Sequence, residues 1–208
     1  MLKENSVILF QGDSITDTGR SRENDKELGR GYPFVVNNIL QAVMPEKNIR
    51  VINRGISGNR TIDLVNRWQE DCIDIKPDYL SILIGVNDTW RRYDRNDPTT
   101  TEEYAQRYEK IIKDTLDNTD AEIILLNTFL LNTGCGANMR EDLEEKQPVI
   151  KALAEKYNLK FVDLDKVFSE KCKAVAPETY SADGVHPTDI GHTVIALEWL
   201  KAMGVEIK

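Results

Sequence analysis

The chain has 208 residues, a length that fits one large globular domain, and its 40% hydrophobic and 30% charged residues exclude collagen-like, disordered and low-complexity proteins. Asp and Glu number 35 against 27 Lys and Arg, so the net charge is −8. This charge disfavours nucleic acid and anionic membranes as partners, because both are polyanionic. We therefore predict a single domain over residues 1–208 that binds neither.

Five short apolar runs alternate with amphipathic stretches along the chain. The runs predict β-strands at residues 7–10, 50–53, 79–84, 123–126 and 160–162. Such alternation is typical of βαβ units around a parallel sheet. We predict a three-layer α/β/α sandwich with a five-stranded parallel sheet, flavodoxin-like, in the strand order 2-1-3-4-5.

The stretches between the runs carry apolar residues at helical spacing. This spacing predicts helices over residues 32–43 and 104–116, and a last helix after Pro187. A third apolar stripe, over residues 143–157, contains Pro148, which predicts a kink or a break there.

Three polar segments, at residues 16–30, 86–99 and 131–140, are predicted to be irregular. The first two follow strands, and the carboxyl edge of a parallel sheet is where such folds bind ligands. None of the three contains a long apolar lid, which disfavours long-chain lipid substrates.

The amino-terminal apolar run, Val7 to Phe10, is too short for a signal-peptide core or a membrane span, so we expect a cytoplasmic protein.

The three cysteines show no C-x-x-C spacing, which indicates reduced thiols and no zinc site. The chain has no G-x-G-x-x-G, no Walker A sequence and no metal-ligand spacing, so we predict neither a cofactor nor a metal. The absence of a G-x-S-x-G elbow argues against an α/β-hydrolase.

A candidate nucleophile follows the first predicted strand. The strand runs directly into Gly12, Asp13 and Ser14, which places a hydroxyl at the carboxyl edge of the sheet, beside a glycine that permits a tight turn. A serine at this position is, on its own, more often a helix N-cap. Ser14 therefore needs a base before it can be assigned as a nucleophile.

The chain has only two histidines, so few bases are possible. His186 lies three residues after Asp183, a spacing that lets the carboxylate accept a hydrogen bond from Nδ1 while Nε2 faces outward. The same segment can also be read as a helix start with an incidental histidine. His192 lies inside the last helical pattern, and we predict a structural role for it.

Acyl transfer also needs donors aimed at the developing oxyanion. Gly58 follows the second strand and can present an unobstructed N–H, and Asn87 follows the third strand and can donate from its amide. Taken separately, each segment is an ordinary turn. Together with Ser14 and His186, they place four polar groups at the carboxyl edges of neighbouring strands.

These blocks resemble the GDSL or SGNH hydrolase superfamily, whose name lists its Ser, Gly, Asn and His, and the match spans almost the whole chain. The resemblance implies that Ser14 is the nucleophile, His186 the general base and Asp183 its orienting partner. It also implies an oxyanion hole formed by the N–H groups of Ser14 and Gly58 and by Nδ2 of Asn87.

Four segments are also similar to intracellular acetylxylan esterases, namely residues 12–17, 54–59, 90–94 and 139–140. This similarity implies removal of acetyl groups from short xylo-oligosaccharides, a small acetylated carbohydrate as the partner, and assembly into a homo-oligomer. The residues expected to contact substrate are Asp13, Trp90, Arg91 and Tyr93. One position departs from the pattern, because Ala182 stands where those esterases carry an aromatic residue before the triad aspartate.

Two other functions are compatible with parts of the sequence. A broad short-chain acylhydrolase or thioesterase would use the same residues on a different substrate. A catalytically silent carbohydrate-binding relative would keep the fold, but the intact set of Ser14, Asn87, Asp183 and His186 argues against it.

Overall fold

The computed structural model of the protein describes residues 2–207, and five parallel strands form its central sheet. The strands are β1 (Val7–Gly12), β2 (Arg50–Asn53), β3 (Tyr79–Leu83), β4 (Glu122–Leu126) and β5 (Lys160–Val162). Their order is β2-β1-β3-β4-β5, which confirms the predicted topology. β1 therefore lies between β2 and β3, and the carboxyl ends of all three strands lie at the same edge of the sheet.

The helices are α1 (Ser14–Asp17), α2 (Tyr32–Val43), α3 (Thr61–Trp68), α4 (Val86–Asp94), α5 (Thr101–Asn118), α6 (Arg140–Lys156), α7 (Leu164–Lys171) and α8 (Asp189–Ala202). The buried apolar residues of α2, α7 and α8 share one hydrophobic core with one face of the sheet, and those of α3, α5 and the carboxyl-terminal half of α6 share a second core with the other face. In β1, Ile8 and Phe10 belong to the first core and Leu9 to the second, as strand alternation requires. These two cores confirm the three-layer sandwich.

β1 extends two residues beyond the apolar run that predicts it. Gln11 and Gly12 continue the pairing with β3, opposite Ile82 and Leu83. The polar Gln11 is fully buried in the strand because its amide donates to the carbonyl of Asp71 at 2.6 Å and accepts from the side chain of Arg67 at 2.9 Å. The extension carries the chain to the edge where Ser14 lies.

The predicted break at Pro148 is wrong. Helix α6 runs through this residue without interruption. Proline removes one backbone donor, which leaves the carbonyl of Glu144 without its helical partner. Both Pro148 and Glu144 are exposed, so water can satisfy that carbonyl and the helix continues.

His192 has a structural role, as predicted. It is buried on α8, and its Nδ1 accepts a hydrogen bond from the backbone N–H of Tyr32 at 3.2 Å, which joins the start of α2 to α8. Burial lowers the pKa of His192 to about 4. The neutral ring is thus the form that the fold stabilises.

This burial predicts a specific loss of stability in acid. An unfolded histidine titrates near a pKa of about 6.5, so the contribution of His192 is complete above that pH and is lost as the pH falls from there toward about 4. His192→Asn keeps an acceptor but does not titrate. Urea unfolding at pH 7 and pH 5 should show a smaller fall in the free energy of unfolding for this variant than for wild type. His186→Asn, which removes the other histidine, is the matched control, and an equal fall in all three proteins would contradict the assignment.

Candidate active site

The end of β1 is packed so closely that only glycine fits there. A Cβ on Gly12 would lie 2.2 Å from the side-chain oxygen of Thr16 and 2.4 Å from the carbonyl oxygen of Leu83. The chain therefore turns directly from the strand into α1. This turn brings Ser14 to the carboxyl edge of the sheet, half-buried.

Asp13, and not Ser14, caps the first helix, and the hydroxyl of Ser14 has a different partner. The cap of α1 is Asp13, whose Oδ1 accepts the N–H of Ile15 at 3.0 Å. The hydroxyl of Ser14 instead lies 2.9 Å from Nε2 of His186. The serine after this strand is therefore paired with a base and does not cap the helix.

Asp13 is not placed to contact substrate, which corrects the expectation drawn from the resemblance. Its side chain is 1% exposed and points into the fold, where it caps α1 from the inside. Burial raises the pKa of Asp13 to about 7, against the lowering effect of its hydrogen bond from Ile15. Its position gives it a structural role at the base of the site.

The structure brings the predicted triad together in one chain of hydrogen bonds. Nδ1 of His186 lies 2.7 Å from Oδ2 of Asp183, and Oδ1 of Asp183 accepts the backbone N–H groups of Val185 and His186 and the hydroxyl of Ser181. Partial burial alone would raise the pKa of Asp183, but the His186 ring and the two backbone donors lower it below its ordinary value. An ionised carboxylate here requires Nδ1 to carry the proton, which leaves Nε2 free to accept one from Ser14.

The turn at Gly58 depends on backbone conformation and on a buried carboxylate. Gly58 has φ +84°, and no atom lies within 4 Å of a Cβ built there, so conformation and not space requires glycine. Asp17 accepts the N–H of Ser57 at 2.8 Å and its hydroxyl at 3.0 Å, which fixes the residue before Gly58. Among residues 2–207, the N–H groups of Gly58 and Ser14 have no hydrogen-bond partner, so both are available to an oxyanion.

Asn87 lies in the first turn of a helix, not in an irregular loop. The segment 86–99, predicted to be irregular, contains α4 over Val86–Asp94. Asn87 is 3% exposed, and its Nδ2 donates to the carbonyl of Asn59 at 3.1 Å, next to Gly58. The adjacent Asp88 accepts the N–H and hydroxyl of Thr61 at 3.0 and 2.6 Å, which holds α4 against the start of α3.

The remaining residues expected at the substrate face divide into three cases. The ring of Trp90 lies against the ring of His186, with 5.7 Å between centroids, so this side chain borders the triad. Arg91 donates to Oδ1 of Asn87 at 2.8 Å and pairs with Asp94, and its contact with substrate stays a prediction. Tyr93 is 44% exposed, and its contact with substrate stays a prediction.

Sequence reasoning missed Asp17 and Asp88, which hold the segments around Gly58 and Asn87 in place. Both carboxylates are buried and satisfied by donors on loops that are distant in sequence. Each aspartate lies in the first helical turn after a strand. Aspartate is common there because it can accept backbone N–H groups of its own helix, so its position alone does not indicate a contact with a distant segment.

No helix within residues 2–207 is long and apolar enough to cross a membrane. In the same part of the chain, no three side chains of the metal-binding types come together as a metal site.

Comparison with known proteins agrees with this geometry. The model of the GDSL-like lipase/acylhydrolase family matches residues 10–194. The acetylxylan esterase of Geobacillus stearothermophilus is 40% identical over 206 residues, which cover 96% of this chain and 94% of that protein. The chain belongs to the GDSL-like lipase/acylhydrolase family. It is a serine carboxylic-ester hydrolase, and the family resemblance read from the sequence motifs is confirmed.

Solved structures of relatives share the whole architecture of this family member. The crystal structure of the Geobacillus esterase matches with a TM-score of 0.91 at 39% identity, over 98% of this chain and 96% of that one. An alpha/beta hydrolase enzyme from the metagenome of Lake Arreo, Spain, matches with a TM-score of 0.92 at 30% identity, over 100% and 99% of the two chains. The solved forms of the Geobacillus esterase include catalytic mutants in which a serine, a histidine or an aspartate is replaced by alanine.

The position of Asn87 predicts the effect of removing its amide. Asn87→Ala should lower kcat for an aryl acetate roughly 10²-fold to 10³-fold with little change in KM, because a donor to the developing charge is lost while the neutral ester binds nearly as before. Steady-state kinetics on both parameters provide the measurement. Asn38→Ala, at an exposed position on α2, is the control. An effect confined to KM would show that Asn87 only contacts the substrate.

Proposed function

We propose that the protein removes acetyl groups from neutral acetylated sugars, most directly from short xylo-oligosaccharides, through Ser14, His186 and Asp183. The observation that carries the proposal is the hydrogen-bonded chain from the hydroxyl of Ser14 through the ring of His186 to the carboxylate of Asp183. The similarity to the Geobacillus acetylxylan esterase, described in solved structures as an acetyl-xylooligosaccharide esterase, supports the choice of substrate.

In the first half of the proposed reaction, Oγ of Ser14 attacks the carbonyl carbon of the ester while Nε2 of His186 accepts the hydroxyl proton. The carbonyl oxygen becomes an oxyanion, which the N–H groups of Ser14 and Gly58 and Nδ2 of Asn87 can stabilise. Asp183 stabilises the imidazolium that forms. When the tetrahedral intermediate collapses, the bond between the carbonyl carbon and the sugar oxygen breaks, His186 gives its proton to that oxygen to form the sugar hydroxyl, and an acetyl group remains on Ser14.

In the second half, a water molecule replaces the sugar. Nε2 of His186 accepts a proton from the water as it attacks the acetyl carbon, and the same donors bind the second oxyanion. Collapse breaks the bond to Oγ of Ser14, and His186 returns the proton to that oxygen. Acetate leaves, and the site regains its starting protonation state.

Three features of the chain favour a neutral sugar as the alcohol part. Trp90 offers an aromatic face beside His186, and Tyr93 offers an exposed one on the same helix. The net charge of −8 disfavours phospholipid headgroups and acyl-CoA. The polar loops carry no long apolar lid for a fatty acyl chain.

A broad short-chain acylhydrolase is the second candidate, and one position favours it. Ala182 is exposed directly before Asp183, where the related esterases are expected to carry an aromatic residue. A small side chain there leaves this side of the site open. Acyl groups or alcohols other than those of an acetylated xylo-oligosaccharide could therefore enter.

Two predictions about the setting of the reaction remain proposals. A cytoplasmic location would limit the substrate to fragments small enough to be imported, so polymeric xylan should react poorly. Assembly into a homo-oligomer is expected from the resemblance to the acetylxylan esterases.

The substrate proposal predicts the ranking of kcat/KM across two series. Among aryl esters of increasing acyl length, kcat/KM should be highest for acetate and should fall steadily toward octanoate, because no lid segment is available to cover a longer chain. Among acetylated saccharides, xylo-oligosaccharides should release acetate faster than the polymer. Acetate release followed by mass spectrometry and by enzymatic acetate assay provides the measurement.

Ser14→Ala supplies the background rate in both series. Rates that rise from acetate to octanoate, or the absence of acetate release from every acetylated saccharide, would contradict the sugar esterase and favour the broad acylhydrolase.

A further inference from the structure

We propose that Arg91 is a positioning residue for the oxyanion hole: it holds the amide of Asn87 in the one orientation that directs Nδ2 toward the developing negative charge. This inference rests on the proposed function, because it concerns the same acyl-transfer site. It assigns to Arg91 a role that neither the substrate expectation nor the triad includes.

The hydrogen-bond chemistry of the two neighbours determines which way the Asn87 amide points. Nη2 of Arg91 lies 2.8 Å from Oδ1 of Asn87, and Nδ2 of Asn87 lies 3.1 Å from the carbonyl oxygen of Asn59. A guanidinium can only donate, and a carbonyl can only accept. Turning the amide over would therefore set donor against donor at Arg91 and acceptor against acceptor at Asn59.

Arg91 is itself held in place. It lies four residues after Asn87 on α4, so the two side chains share one face of the helix. Its guanidinium pairs with Asp94 and lies 5.8 Å from the centre of the Trp90 ring. The side chain is 14% exposed, which leaves little water to compete for the bond to Asn87.

Loss of Arg91 would affect the transition state more than the bound ester. Without the guanidinium, Oδ1 of Asn87 loses its donor, and the amide can rotate to direct Oδ1 at the developing oxyanion, where it repels the charge. A charged donor on Oδ1 also polarises the amide and strengthens Nδ2 as a donor. Both effects grow with charge on the reacting oxygen, so they act on kcat and leave KM nearly unchanged.

The alternative is that Arg91 contacts the sugar. An aryl acetate separates the two roles, because it carries the same acetyl group without a sugar. A sugar contact would leave aryl acetate hydrolysis unchanged and raise KM for saccharides. A positioning residue lowers kcat for both substrates.

The test is a double-mutant cycle on hydrolysis of 4-nitrophenyl acetate. Arg91→Met keeps an unbranched stem without a donor, and we expect kcat to fall roughly 10-fold to 10²-fold, at most the loss caused by Asn87→Ala, with KM within about 2-fold of wild type. In the Asn87→Ala background, Arg91→Met should cause no further loss, because the group through which it acts is absent. Arg91→Lys, which retains a charged donor, should keep more activity than Arg91→Met.

Arg95→Met is the matched control, since it removes the same charge from an exposed position at the end of the same helix. Its kcat should equal that of wild type. Thermal unfolding of each variant checks the fold, and Arg91→Ala, which also removes the donor and carries the same expectation, replaces Arg91→Met if that variant does not fold.

Losses from Arg91→Met and Asn87→Ala that multiply in the double variant would overturn the inference, as would an unchanged kcat or an effect confined to KM. Ser14→Ala distinguishes failure of the proposed function from failure of the role of Arg91. If that variant hydrolyses the ester as fast as wild type, the proposed function itself is wrong, whereas dependence on Ser14 with no effect of Arg91 rejects only the role of Arg91.

Discussion

Close packing at the end of β1 is the constraint on which the rest of the site depends. Gly12 and Gly55 both lie where a Cβ would approach the segment 16–17 too closely; at Gly55 it would be 2.5 Å from the backbone nitrogen of Asp17. The loops after β1 and β2 are therefore in direct backbone contact. This contact fixes the segments that carry Ser14 and Gly58, which follow the neighbouring strands β1 and β2, and within residues 2–207 the N–H groups of both residues have no hydrogen-bond partner.

The site also relies on carboxylates that are removed from water. Asp13, Asp17 and Asp88 are all buried, and each accepts one backbone N–H near the site, from Ile15 in α1, Ser57 before Gly58 and Thr61 at the start of α3, respectively. Burial raises the pKa of Asp13 to about 7 and of Asp88 to about 6, although hydrogen bonds oppose the shift. Burying these carboxylates lowers the free energy of unfolding, but each carboxylate holds a backbone N–H group near the site in a fixed position. Donors that are already in position can bind an oxyanion without rearrangement.

The strand order and the contacts from Ser14 through His186 to Asp183 could be predicted from the sequence. β-branched runs mark the strands, Ser14 follows the end of β1, and the three-residue spacing of Asp183 and His186 allows their hydrogen bond. Helix α4 could not be predicted, because its buried residues are Val86 and three polar residues in its first turn, Asn87, Asp88 and Thr89, which give no apolar periodicity.

The remaining misses concern side-chain direction and exposure. Whether Asp13 faces the substrate or the interior depends on how segments that are far apart in sequence pack around it. Pro148 was misjudged because a proline on the solvent face of a helix leaves a carbonyl that water can satisfy. Residue identity alone carries no information on that exposure.

If Ser14 carries the acyl group during turnover, as we propose, an acetylated intermediate should form on that residue in the first turnover. The enzyme is mixed with an aryl acetate, quenched in acid within the first turnover, digested and examined by peptide mass spectrometry. One acetyl group is expected on the peptide that contains Ser14, with none on the same peptide from Ser14→Ala. Acetylation of another residue at the rate of turnover, or rapid hydrolysis by the Ser14→Ala variant, would contradict it.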